Sequence, residues 1–305
     1  MRVALLFTDG VGVGPRDPAT NPLATGDYLL SVFAGEPLPT LPHGGAVHLV
    51  DTTFGVPGRP QSASNQTALY TGLPAPRLVE GHVLGYPTRA LRALLEAHSV
   101  VRRLTAAGRS ATFANAYPVT YLDALGLPHG PAEAEAVLVP PAALRRLKPS
   151  ASTLAMAAGG VPFRTLDDAR AGRGLTHDVD GAAAGRRRLH APRRSPAEAA
   201  EVFWSLAADF TLFEHFLADE AGHLQDPAAA AVALGTFDAF ARAVVALRPP
   251  DACVLVASDH GNVEDLSTRG HTRNPVAVLA FGAPAGLPAP GTVADVGLQV
   301  LSLLA

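Results

Sequence analysis

Ser258-Asp259-His260-Gly261-Asn262-Val263-Glu264, followed by Gly270-His271-Thr272-Arg273-Asn274-Pro275, gathers carboxylate and imidazole groups directly behind an apolar run, Ala252 to Ala257. Asp259, His260 and His271 are metal-type ligands, and mixed oxygen and nitrogen donors of this kind suit a divalent transition-metal cation. Asp9 follows a second apolar run, Val3 to Thr8, and Asp219 and His223 stand four apart beside Gly222 after the expected strand Phe210 to Phe216. Pro60-Gln61-Ser62-Ala63 opens a small-residue stretch closed by Gly72, the pattern of a loop entering a short helix with a Gly cap. Ser62 falls at that helix N-terminus, where backbone N–H groups and the helix dipole favour an anion. A serine hydroxyl is a weak nucleophile until a base or a metal activates it. These residues are therefore equipped to hold a divalent cation at the strand ends, with Ser62 at an anion-favouring helix N-terminus.

The elements that must position them follow from periodicity. Apolar runs at 3–8 and 252–257 read as strands buried on both faces, and 46–53, 111–116, 210–216 and 275–281 as further strands. Helical spacing predicts helices over 88–104, 226–247 and 294–304, a short one over 28–33 and another over 150–158. Ser195-Pro196-Ala197-Glu198 is a helix start with a capping box. Strand–helix–strand alternation implies parallel pairing, and ligands in open α/β sheets gather at the strands' carboxyl ends. The fold class is α/β: a mostly parallel central sheet with helices on both faces and a small inserted α+β cap. The core spans 1–116 and 196–305. The cap, 117–195, is rich in Pro, Gly, Ala and Arg, with a short strand expected at 137–139. Its Arg145, Arg146, Arg164, Arg173 and Arg186-Arg187-Arg188 could clamp an anion, while His177-Asp178-Val179-Asp180 reads as a turn. Gly10-Val11-Gly12-Val13-Gly14-Pro15 lacks the G-x-G-x-x-G spacing of a dinucleotide loop.

The chain has 305 residues, 48% hydrophobic, with 24 Lys+Arg against 27 Asp+Glu and a net charge of −3. Near-balanced charge argues against nucleic-acid and membrane-surface roles. Cys253 is the sole cysteine, so no disulfide framework forms within the chain. Val3 to Phe7 is too short for a signal-peptide core, and no apolar run near 18 residues is expected. The expectation is a cytoplasmic protein; the oligomeric state is open.

Thr8-Asp9-Gly10, Gln61-Ser62-Ala63 with Thr67-Ala68 and Thr71-Gly72, Asp219-x-x-Gly222-His223, Ser258-Asp259-His260-Gly261-Asn262-x-Glu264 and His271-Thr272-x-Asn274-Pro275-Val276 together resemble the alkaline phosphatase superfamily, in its branch with cofactor-independent phosphoglycerate mutase and phosphopentomutase. The resemblance covers about 1–116 and 196–305 and keeps the family's motif order. It implies one metal on Asp219, His223 and His271, a second on Asp9, Asp259, His260 and the Ser62 oxygen, and a phosphoseryl intermediate at Ser62. Manganese is the metal implied for this branch and zinc for others. Three carboxylates against two divalent cations leave one positive charge, which ionised Ser62 cancels, so a phosphate dianion can enter. The implied activity is phosphoryl transfer on a small phosphorylated metabolite, as a phosphomonoester hydrolase or a phosphomutase (an isomerase). A phosphodiesterase on the same scaffold, or a non-catalytic metal-binding and metabolite-sensing protein, is the alternative. The segment 117–195 is much smaller than the mutases' inserted domain, so their substrate-binding basic residues have no counterpart to carry over.

Overall fold

The computed structural model describes residues 1–132, 146–186 and 189–305. The expected strand at 137–139, Arg145, Arg187, Arg188 and the Arg186 side chain lie outside the described residues.

Eight strands are described: β1 Arg2–Thr8, β2 Ala46–Val50, β3 Ala111–Phe113, β4 Ala116–Tyr117, β5 Arg164–Thr165, β6 Phe210–His215, β7 Ala252–Ala257 and β8 Val276–Phe281. Six form one sheet in the order β2-β8-β7-β1-β6-β3, and β4 and β5 pair separately. β1 lies between β6 and β7 and is parallel to both; β3 is parallel to β6. β8 runs antiparallel to β7, and β2 to β8. The sheet is thus mixed and mostly parallel. Because β1, β6 and β7 point the same way, Asp9, the segment after His215, and Asp259-His260 all emerge at one edge.

Alternation along each central strand feeds two cores. Val3, Leu5 and Phe7 of β1, Phe210 and Leu212 of β6, and Cys253 and Leu255 of β7 face one side, with Ala68 and Leu69 of the helix Ser62–Thr71 and Val296 and Val300 of the helix Val293–Leu303. Ala4, Leu6, Phe213, Val254 and Val256 face the other, with residues of the helices Pro196–Ser205 and Pro227–Ala246. Ala151, Ala155 and Met156 of the helix Ala151–Ala158 join the first core, so part of the 117–195 segment packs against the sheet's own helices.

Several expectations are corrected. Residues 28–33 form a single turn at 29–30 within irregular chain, not a helix; Ser31 Oγ accepts from Tyr28 N and Asp238 accepts from Leu29 N. The helix expected over 88–104 breaks at Ser99, whose hydroxyl accepts from Val101 N and Arg102 N and so starts a second helix, Val100–Ala106. The run 111–116 divides between β3 and β4, which belong to different sheets. Pro227–Ala246 is long and apolar enough to cross a membrane by length and composition, although Thr236, Asp238 and Arg242 interrupt it as a run. Half of it is buried, with Phe237, Phe240 and Val244 in the second core.

The helix Pro196–Ser205 has its expected capping box: Ser195 Oγ accepts from Glu198 N, and the Glu198 carboxylate accepts from Ser195 N at 2.7 Å. Ser195→Ala is expected to lower unfolding free energy by about 1 kcal/mol in urea titration; an unchanged midpoint would show the cap carries nothing.

Candidate metal centre

Two clusters form at the carboxyl edge of the sheet. In one, Asp219, His223 and His271 offer ligand atoms all within 4.8 Å of one another; in the other, Asp9, Asp259 and His260 do the same. Asp9 follows β1 directly and is held by its backbone N–H to His215 O at 2.8 Å. Asp259 and His260 follow β7. Asp219 and His223 were expected at a strand end; they sit instead on the helix Leu217–Leu224, one turn apart, which brings both side chains to one face. His271 arrives on the return loop to β8, and its ring stacks on His260 with centroids 3.7 Å apart, joining the clusters.

The second ring nitrogens fix the imidazoles. His271 Nδ1 lies 2.8 Å from Pro60 O, and His223 Nδ1 2.7 Å from Arg269 O. A carbonyl only accepts, so each Nδ1 carries the proton and leaves Nε2 as a lone pair when the ring is neutral. Those Nε2 atoms are 3.2 Å apart, with Asp219 Oδ2 at 3.2 Å from His223 and Asp219 Oδ1 at 3.6 Å from His271. In the other cluster His260 Nε2 is 3.3 Å from Asp9 Oδ1 and 3.4 Å from Asp259 Oδ2. Asp9 Oδ1 is buried without a hydrogen-bond partner.

Electrostatics describes a site rich in acids. Burial, then the charge of Asp259, raises Asp9 well above the usual carboxylate range. Burial, then Asp219, pushes Asp259 up to about 7. Asp219 is pushed up by burial, but the hydrogen bond from His223 and the nearby His260 and His271 bring it to about 2. His223, bonded to Asp219, is lifted to about 9, while burial presses His260 down to about 3. Converging lone pairs, an orphaned buried carboxylate oxygen and carboxyls driven towards neutrality are what a divalent cation relieves, since it favours deprotonated ligands. The residues fit two such ions.

Ser62 is the first residue of its helix, and Gln61, not Ser62, takes the capping position. Its hydroxyl is therefore not spent on a cap; Oγ lies 2.9 Å from His260 Nε2. Gln66, one turn on, donates from Nε2 to Asp9 Oδ2 at 3.0 Å and to Asp259 Oδ2 at 3.1 Å. Sequence reasoning missed Gln66, although its position four residues after Ser62 on a helix would have placed it on the same face. Asn262 donates to Asp219 Oδ1 at 2.6 Å.

Glu264 ties the ligand loops together. Oε2 accepts from Gly12 N at 3.0 Å and Asn262 N at 2.7 Å; Oε1 accepts from Asn274 Nδ2 at 3.0 Å and from the Thr272 hydroxyl. A Cβ at Gly12 or Gly261 would collide with this carboxylate. The glycine run after Asp9 thus makes room for Glu264.

Among the described residues, two of the arginines expected as an anion clamp are engaged elsewhere. Arg164 donates to Phe113 O, Arg173 O and Thr112 Oγ1, and Arg173 pairs with Asp168. Arg146 is exposed and does not line the cavity beside Ser62, a space of about 510 Å³ whose wall includes Asp9, Ser62, Lys148, His177, Glu214 and Asp219. His177 lies in the expected turn, its ring stacked on Phe216 with centroids 4.0 Å apart.

Residues 193–305 match the family model of the metalloenzyme superfamily. A phosphopentomutase of Methylobacterium sp. (strain 4-46) is 43% identical over 90 residues, 28% of this chain and 22% of that protein. A 2,3-bisphosphoglycerate-independent phosphoglycerate mutase of Agrobacterium fabrum is 37% identical over 125 residues, 37% of this chain and 25% of that protein. The matches thus span about a quarter or less of these relatives. The alkaline phosphatase from the Antarctic bacterium TAB5 superposes with a TM-score of 0.56 at 14% identity, covering 99% of this chain and 98% of that one, which shows a shared fold. The chain is thus similar in sequence to the metalloenzyme superfamily over its C-terminal third and shares the alkaline phosphatase fold over its whole length.

Proposed function

We propose that the protein is a two-metal phosphoryl-transfer enzyme acting on small phosphate monoesters through a phosphoserine at Ser62. The observation that carries this reading is the Ser62 hydroxyl, free of capping duty, beside His260 and at a helix N-terminus. Asp219, His223 and His271 would hold one ion; Asp9, Asp259, His260 and the Ser62 oxygen would hold the other. Divalent cations of the manganese or zinc type supply Lewis acidity towards phosphoryl oxygens and make the serine hydroxyl more acidic. Ser62 Oγ forms the new bond to phosphorus as the ester bond to the departing alcohol breaks, and that alcohol leaves with a proton. The amides of the helix Ser62–Thr71 orient the incoming anion. Gln66, through both carboxylates, keeps Asp9 and Asp259 in register with the attacking oxygen. In the second half, water or a hydroxyl of the substrate takes the phosphoryl group from Ser62, giving hydrolysis or mutation. Residues of 117–195, among them Tyr117, Tyr121 and Ser150, wall the substrate cavity, which is the role we assign to that segment as a cap.

Manganese-loaded protein offered phosphate monoesters and bis(4-nitrophenyl) phosphate, with phosphate release and isomer formation followed together, tests this. Monoester turnover at least about tenfold above diester turnover is expected, because a monoester dianion matches the site's charge. Preference for the diester would make the protein a diesterase. Two bound metals with no turnover of any ester would make it a binding protein.

A further inference from the structure

Glu214 is a buried acid that the chemistry above does not use. Alternation along β6 assigns its position to the core: Phe210 and Leu212, on the same face, are packed beneath the helix Ser62–Thr71. Its register partner is Phe7, and it is only 6% exposed. A carboxyl at such a position is expensive unless it is hydrogen-bonded, and here it is. Ser152 Oγ donates to Oε2 at 2.7 Å, and the Tyr117 hydroxyl is a second partner. Ser150 Oγ lies 2.7 Å from Ser152 Oγ and 2.9 Å from Thr153 Oγ1, extending a chain of hydroxyls from the carboxylate. Glu214, Ser150 and Tyr117 line the same cavity as Ser62.

The wall beside this chain is flat and apolar. The Tyr117 and Tyr121 rings are stacked, 5.3 Å apart with 17° between planes. Edge contacts from Tyr117 to Phe113 and Phe163 fix that plane. Three of the chain's five tyrosines, Tyr86 with these two, line the cavity. Hydroxyl groups rotate to donate or accept, whereas a carboxylate accepts only. An aromatic face offers contact area to the C–H face of a ring. Burial pushes the Glu214 carboxyl up to about 7 against the hydrogen bonds from Ser152 and Tyr117; above that pH it is charged and opposes a second carboxylate, because like charges in a desolvated site repel strongly.

We propose that Glu214 is the specificity-determining residue of this site, accepting hydrogen bonds from hydroxyls on the body of the substrate, so that the enzyme takes neutral, hydroxyl-bearing phosphate monoesters and rejects carboxylate-bearing ones. The proposal rests on the phosphoryl-transfer reading above, in which the phosphate end lies at Ser62.

Ribose 5-phosphate and 3-phosphoglycerate are the two probes, each a phosphate monoester of a small hydroxylated body, only the second with a carboxylate. At pH 8, where Glu214 is ionised, wild-type kcat/KM is expected to favour ribose 5-phosphate by at least about tenfold, the scale of one hydrogen bond to a charged group. In Glu214→Gln, which keeps the shape and an acceptor but removes the charge, that ratio should fall by about tenfold. Metal content should stay at the wild-type value. The same order of affinities should appear in calorimetric binding to Ser62→Ala protein, which needs no turnover and no folded Glu214 variant. An unchanged ratio, or tighter binding of 3-phosphoglycerate, overturns the proposal. So does loss of a metal ion from Glu214→Gln, since Glu214 would then be holding a cation. Failure of wild-type protein to turn over 4-nitrophenyl phosphate would strike the phosphoryl-transfer reading instead, and the calorimetric order would still decide Glu214.

Discussion

Ser62→Ala is expected to reduce turnover of 4-nitrophenyl phosphate by at least about a thousandfold, on the scale seen when a covalent nucleophile is removed from an enzyme, while metal content stays near two ions per chain. The reasoning has two parts. The hydroxyl is the only atom of Ser62 that can attack phosphorus, so its removal abolishes the covalent route rather than weakening it. Five of the six other ligand-type residues keep their own supports: carbonyl partners on His223 and His271, Asn262 on Asp219 and Gln66 on Asp9 and Asp259; His260 loses its contact to Ser62 but keeps its stacking on His271. Mass spectrometry of wild-type protein quenched during turnover should find the phosphoryl group on the peptide containing Ser62. Turnover retained within tenfold in the variant would remove Ser62 from the role of nucleophile.

The second large effect is expected at a residue that touches no metal. Glu264→Gln should weaken manganese binding by roughly 10- to 100-fold, the range for residues that orient metal ligands. The substitution preserves volume but turns one acceptor into a donor. Whichever way the amide lies, it faces either Gly12 N and Asn262 N, or the Thr272 hydroxyl and Asn274 Nδ2, all of which donate. A buried donor left unsatisfied costs about 1–3 kcal/mol. The loops concerned carry Asp9, Asp259, His260 and His271, so both ions should be affected. Isothermal titration with manganese reads the effect directly, and a lower unfolding temperature in the presence of metal should accompany it, since ligand binding to the native state stabilises it. Unaltered affinity at both sites would show that the loops hold their geometry without this carboxylate.

Much of the architecture could be read from residue types. The segments 3–8, 210–216 and 252–257 became the three adjacent parallel strands, because short stretches rich in Val, Leu and Phe and bounded by turn residues suit strands covered on both faces. The ligand-type residues were visible because Asp and His behind such runs have few other reasons to be there. Ser99 was not visible as a break: its neighbours continue the helical spacing, and only its tertiary contact to Ala155 O, with capping bonds to Val101 N and Arg102 N, stops the first helix. Asp219 and His223 were assigned to a strand end because Phe216 reads as the close of an apolar run, yet the chain turns into a helix at Leu217. Glu214 was passed over as one polar residue in that run; the signal was an acid on the face occupied by Phe210 and Leu212. Arg164 and Arg173 looked like anion ligands only because sequence shows charge and not the carbonyls and Asp168 that engage it.

The sheet order sets a schedule for assembly. β1 is made first but ends in the middle of the sheet, and both its neighbours, β6 and β7, come from the last third of the chain. Its Val3, Leu5 and Phe7 must wait for partners more than 200 residues downstream, and pairings of such long range form slowly and leave apolar strands uncovered meanwhile. A ribosome-bound nascent chain halted before β6 would therefore carry Asp9 and Ser62 with no companion ligands, and metal capture would wait until His271 has emerged.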